Sequence, residues 1–335
     1  MDAQEAARNA LSCVLEAENG ESMVVFCDDE KIQIGEAFVG GALDLGLQVR
    51  LTPLKTGLGV FRKVIPKQVM DILKRPTDIY INLLRGVREE APFRIELIKL
   101  ETGERKTRLG HCPGVTMDML TEGALALTAE GHRQMQAFAR KLMRKLDHAV
   151  KIEITNPGGT DISLSVEGRS FFTDTIIDRE TMKWMNLPTG EVLVAPVENS
   201  AEGELICDLA VGGIGPIETP VKLTVRNGKV QDSSSKDSQI LKKVRDSLKT
   251  DAHSNIIGEF AFGINMKARF IEEFLEAEKV FGTIHIPYGD NSDFPGGQNP
   301  SKNHLDLLVS KPSVKAFNKD GSSIDVLVEG TFSRV

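Results

Sequence analysis

His285 and the triplet His304-Leu305-Asp306 are residues of the types that hold divalent metal ions. Residues at i and i+2 of a strand point to the same face, so His304 and Asp306 can grip one ion together. His285 lies in Gly282-Thr283-Ile284-His285-Ile286, a short apolar strand ended by the turn Gly289-Asp290-Asn291. Imidazole nitrogen and carboxylate oxygen suit zinc, cobalt, manganese or ferrous iron, so the ligand types alone leave the metal open. A lone histidine beside apolar residues is more often a hydrogen-bonded core group, and the weight therefore rests on further carboxylates in unusual settings. Glu191 opens the apolar run Val192-Leu193-Val194-Ala195-Pro196, and Glu259 interrupts Ile256-Ile257-Gly258-Glu259-Phe260-Ala261-Phe262-Gly263. A carboxylate inside an apolar strand costs several kcal/mol unless it is paired or bound to a metal, so each of these glutamates needs a partner.

The elements that must position these residues divide into two textures. Up to about residue 149, strands alternate with helices: Ala3 to Glu16 (helix), Ser22 to Cys27 (strand), Lys31 to Leu45 (helix), Leu47 to Thr52 (strand), Ile65 to Leu73 (helix) and Asp78 to Leu84 (strand). Arg94 to Leu100 reads as a fourth strand, and Thr116 to Asp147 as helix with a basic face from Arg133 to Lys145. This alternation implies right-handed crossovers and a mostly parallel, Rossmann-like sheet. Its first strand ends in Asp28-Asp29-Glu30, so neither phosphate-cradling glycine fingerprint is present. Gly40-Gly41 inside the second helix reads as a close-packing point. Beyond residue 149 alternating strands dominate, with turns at Asn156-Pro157-Gly158-Gly159 and Asn227-Gly228, and helices at Ser238 to Leu248 and Arg269 to Glu278. The expected fold is α/β: residues 1–149 form a Rossmann-like domain, and residues 150–335 a mixed α/β metal-binding domain that carries every candidate ligand.

Whole-chain numbers exclude other classes. A chain of 335 residues accommodates two ordinary domains. A net charge of −7 argues against a general nucleic-acid binder, which needs a basic face. No apolar run is long enough to span a bilayer, and Met1-Asp2-Ala3-Gln4-Glu5 lacks the basic and apolar regions of a signal peptide, so a cytoplasmic protein without a membrane partner is expected. Cys13, Cys27, Cys112 and Cys207 show no paired spacing and are expected to be reduced and buried. Cys112 follows His111, but neighbouring side chains on an extended chain point apart, which disfavours a nucleophilic thiol.

Taken in order, Asn186-Leu187-Pro188-Thr189-Gly190-Glu191, Gly258-Glu259, Gly282-Thr283-Ile284-His285 and His304-Leu305-Asp306 resemble the aminopeptidase T-like (thermophilic aminopeptidase, M29) family of metallopeptidases. The resemblance covers most of Cys112 to Val335, more loosely the N-terminal domain. It implies a C-terminal catalytic domain with two divalent ions, commonly cobalt or zinc, in a homodimer that cleaves N-terminal residues from peptides. The ligands it implies are Glu191, Glu259, His285, His304 and Asp306. Glu259 would be a bridging ligand or the base beside the reacting water. The family's peptidases carry a tyrosine a few residues after the first histidine; here Tyr288 stands three residues beyond His285, at a different offset, and is the candidate for that hydroxyl. Asp290, Asn291 and Asn303 are candidates for orienting the imidazoles.

A second reading comes from another class. A branch resembling 2,5-dihydroxypyridine dioxygenase uses one ferrous ion held by two histidines and one aspartate, which here would be His285, His304 and Asp306, acting on a small aromatic substrate. A one-iron site has no need of Glu191 and Glu259, whereas a two-ion hydrolase does. A non-catalytic, metal-stabilised binding protein would close the coordination sphere, and five ligands are too few to close two.

Overall fold

The computed structural model describes residues 1–103, 107–178 and 183–334. By Cα proximity the chain forms two compact units, one of Met1–Gln136, Asp174–Thr189 and Met266–Arg269, the other of Ala137–Thr173, Gly190–Asn265 and Phe270–Val335. Where the sequence suggested a single division after residue 149, the units interleave.

The first unit carries a five-stranded, wholly parallel sheet in the order Gln48–Leu54, Ser22–Asp28, Ile79–Leu83, Arg108–His111, Trp184–Asn186. Its three central strands are nearly continuous buried runs, as expected where helices cover both faces. The helices Ala3–Cys13 and Ile32–Asp44 pack closely at Gly41, where an added Cβ would stand 2.5 Å from the Arg8 nitrogen. The segment expected as a fourth strand is instead the helix Ala91–Thr102, which buries Phe93, Leu97 and Ile98 along one side. The fourth strand is Arg108–His111. The expected Thr116 to Asp147 helix is two, Met117–Thr121 and Ala129–Leu146. At the end of the first strand, Asp28 is fully buried and bound by the Arg62 guanidinium and the Arg85 amide. Glu90, also buried, binds Arg62 and Arg85. The acidic strand end thus meets its own arginines.

The second unit contains an eight-stranded antiparallel sheet and a seven-stranded sheet. In the first, Val221–Arg226 and Lys229–Ser234 form a hairpin about Asn227 and Gly228, at φ 49° and 74°, the left-handed pair that a two-residue hairpin turn demands. The seven-stranded sheet includes, in order, Ala210–Val211, Leu307–Val309, Ile284–His285, Phe260–Gly263 and Glu191–Val194, all antiparallel. Phe262 sits in a cluster of aromatic rings, 6.0 Å from Phe332, which in turn packs 4.9 Å from Phe281 and Phe138. Among the described residues, no helix is long and apolar enough to cross a membrane.

Candidate metal centre

The seven-stranded sheet gathers the sequence-expected ligands by register. Ala261 lies opposite His285, Gly263 opposite Glu191, and His285 opposite Leu308. Because side chains alternate along a strand, Glu191, Glu259, His285 and Asp306 all stand on one face, with Glu259 diagonal to the histidine and Glu191 one strand further across. Ala261 and Gly263, the other residues on that face of the central strand, are small and leave room between the carboxylates. Gly190 adopts φ 142°, and an added Cβ would stand 2.5 Å from the Asn265 Cβ, so only glycine lets the chain enter the Glu191 strand here.

His285 Nε2 lies 3.1 Å from Glu191 Oε1 and 3.4 Å from Glu259 Oε1. His304 Nε2 lies 3.4 Å from Glu259 Oε2 and 3.2 Å from Asp306 Oδ1. Glu259 therefore turns each of its two oxygens to a different imidazole. All five expected ligands converge. Tyr288 does not join them: it is paired with Leu305, on the opposite face of a two-stranded ribbon from His304. Its fully buried hydroxyl donates to the Val244 carbonyl at 3.3 Å. The expectation that it serves the reacting carbonyl is corrected accordingly.

Of the three candidate orienting residues, Asp290 touches an imidazole, through its backbone: its carbonyl oxygen lies 2.9 Å from His304 Nδ1. Asn291 donates to the Gly258 carbonyl at 3.1 Å and to Glu198 at 3.2 Å, bracing the backbone that carries Glu259. Asn303 accepts from the Ser247 hydroxyl at 2.7 Å and serves the loop instead. His285 Nδ1 is buried without a hydrogen-bond partner.

Sequence reading missed Glu278 and Lys279. Both are buried, Lys279 at 1 % exposure, and its ammonium contacts Glu191 Oε2 and, at 2.9 Å, Glu278 Oε1. The helix expected over Arg269 to Glu278 covers only Phe274–Ala277, after which the chain turns inward. The available signal was a charged pair set only Val280-Phe281-Gly282 ahead of the apolar stretch Thr283 to Ile286.

The electrostatics follow from this crowding. Burial pushes the Glu259 carboxyl up, but hydrogen bonds from His285 and His304 more than reverse this and hold it at about 2. Burial opposes protonation of both histidines, yet Glu191 and Glu259 raise His285, and Asp306 and Glu259 raise His304, well above the usual imidazole range. Glu278 is pushed up to about 8 by burial, against the pull of Lys279. Elsewhere, burial pushes the Cys112 thiol up and the neighbouring His111 ring down to about 3, which removes the thiolate that a nucleophile needs.

The donor set fits divalent ions. Ligand atoms of Glu259, His285 and Asp306 lie within 4.8 Å of one another, as do those of Glu191, Glu278 and His285. The model of the thermophilic metalloprotease (M29) family matches residues 128–332, which include every one of these ligands. The chain belongs to that family. As an M29 member it is a metal-dependent hydrolase, and the mixed α/β fold agrees. Two solved structures share the fold of this M29 chain. 2,5-Dihydroxypyridine dioxygenase from Pseudomonas putida KT2440 is similar with a TM-score of 0.72 at 15% identity, covering 99% of this chain and 97% of that one. Wild-type AmpT from Thermus thermophilus is similar with a TM-score of 0.71 at 16% identity, covering 99% of each chain. No curated protein sequence matches it.

Proposed function

We propose that this chain is an aminopeptidase that removes N-terminal residues from peptides, using two divalent ions, zinc or cobalt, held by Glu191, Glu259, His285, His304 and Asp306. In the same reading it works in the cytoplasm as a homodimer. The observation that carries the proposal is Glu259, whose two oxygens each face a different imidazole at 3.4 Å, the arrangement of a carboxylate shared between two cation positions. Divalent ions held by these residues would depress the pKa of a water and polarise a peptide carbonyl.

The chain's own residues prepare the site. The Asp290 carbonyl only accepts, so it fixes a proton on His304 Nδ1 and turns Nε2 towards Glu259 and Asp306. His304 is exposed and Asp306 half-buried, whereas Glu191, Glu259 and His285 are buried, so a peptide reaches the cluster from the His304 side. The ferrous reading uses His285, His304 and Asp306 alone and leaves Glu191 and Glu259 out of the ligand set.

The test is hydrolysis of amino-acid 4-nitroanilides by protein loaded with cobalt or zinc, beside the same substrates acetylated on the α-amine. Cleavage of the free amines alone is expected. Equal cleavage of the blocked substrates, or none of either, overturns the aminopeptidase assignment.

A further inference from the structure

The two possible cation positions are electrostatically unequal. Glu191, Glu278 and His285 form one donor group; Glu259 and Asp306, 3.4 and 3.2 Å from His304 Nε2, form another with that imidazole. In the first group a buried ammonium is already present, with Lys279 Nζ in contact with both carboxylates. In the second, among the described residues, no lysine or arginine contacts Glu259 or Asp306; their neighbours are the imidazoles of His285 and His304. An imidazole can turn a nitrogen lone pair to an ion, whereas an ammonium has none to offer.

We propose that Lys279 sets the order and number of ions bound: the Glu259–His304–Asp306 group fills first and tightly, and Lys279 keeps the Glu191–Glu278–His285 group as a weaker, exchangeable position. The ammonium acts in two ways. It contacts Oε2 of Glu191, whose Oε1 is the oxygen 3.1 Å from His285. It also opposes a dication across a buried space, where charges are poorly screened. Lys279 is a positioning residue here, since at 1 % exposure it is closed to substrate. The proposal rests on the reading of this cluster as a metal centre, and it makes a lysine the determinant of whether one or two ions are present.

The experiment is calorimetric titration of chelator-treated protein with cobalt alone, in the wild type, Lys279→Met and Glu278→Gln, with melting curves to establish folding. Methionine keeps an unbranched chain of similar length in the buried space. In the wild type the two steps should differ by about tenfold or more. In Lys279→Met the weaker step should tighten by a similar factor, and in Glu278→Gln it should be lost while the tight step stays. Should Lys279→Met fail to fold, Lys279→Gln, neutral and still able to hydrogen-bond both carboxylates, takes its place with the same expectation of a tightened weaker step. Equal steps in the wild type, an unchanged or weakened second step in folded Lys279→Met, or an unaltered second step in Glu278→Gln overturns the proposal. A wild type that takes one ion while Lys279→Met takes two supports the role of Lys279 and sinks the two-ion hydrolase. Absence of cobalt binding in all three sinks both.

Discussion

His304 Nδ1 stands 2.9 Å from the carbonyl oxygen of Asp290, and this contact decides which ring nitrogen faces the acidic cluster. The position of that carbonyl is itself fixed, because the Asp290 amide donates to the Asn303 carbonyl at 2.7 Å, one residue before His304. A backbone acceptor holds the imidazole without adding a further charge to an already acidic site.

Glu259→Gln keeps the shape of the side chain but removes the charge between the two imidazoles. The fold should persist, with metal-dependent hydrolysis lower by about a hundredfold or more. Circular dichroism and anilide assays check this. Full activity in a folded variant would remove Glu259 from the site.

The pH dependence has opposite signs with and without ions. In ion-free protein, the raised pKa values of His285 and His304 add stability that is fully present below their ordinary 6.5 and lost as pH rises through the folded values. Glu259, lowered from 4.5 to about 2, adds stability present above 4.5 and lost as pH falls towards 2. The cluster's contribution should therefore peak between 4.5 and 6.5, with Tm declining on either side. Ion binding must displace the imidazole protons, so affinity should climb with pH and protons should be released. Titration in two buffers of different ionisation heat measures this. An affinity flat between about pH 6 and 8 contradicts it.

Tyr288→Phe removes only a hydroxyl that donates to the Val244 carbonyl. The expected cost is about 1 kcal/mol of stability, with kcat within a few-fold of the parent. A loss of about a hundredfold in kcat at unchanged KM would return the hydroxyl to the reaction.

Arg62→Met strips the guanidinium from Asp28 and Glu90, both fully buried. Leaving buried carboxylates short of their partner should destabilise the first unit by about 3–5 kcal/mol. Arg85 still reaches Glu90, which places the effect at the lower end of that range. Denaturant unfolding followed by Trp184, a residue of that unit, reports it directly. An unchanged midpoint would show the ion cluster to be dispensable.

The sequence made part of this legible. The i, i+2 spacing of His304 and Asp306 placed both on one side, and they lie 3.2 Å apart. Glu191 and Glu259 stood out because apolar strands do not tolerate unpartnered carboxylates; Glu259 meets both histidines, and Glu191 meets His285 and Lys279. The helix Ala91–Thr102 was hidden because Arg94-Ile95-Glu96-Leu97 alternates like a strand, although Ile95 is half-exposed and Leu97 buried. Glu278 and Lys279 were hidden because a neighbouring acid and base resemble a solvated helix end; only the tertiary fold shows that both are enclosed. Tyr288 sat near His285 in sequence, but strand register carried its ring to the other face.

The most direct test is metal analysis of protein purified without chelator, paired with anilide hydrolysis and oxygen uptake on the same sample. Zinc or cobalt bound at the cluster, lost together with aminopeptidase activity in Glu259→Gln, is the expected result. One iron per chain with oxygen uptake dependent on an aromatic substrate, and no hydrolysis, would contradict it.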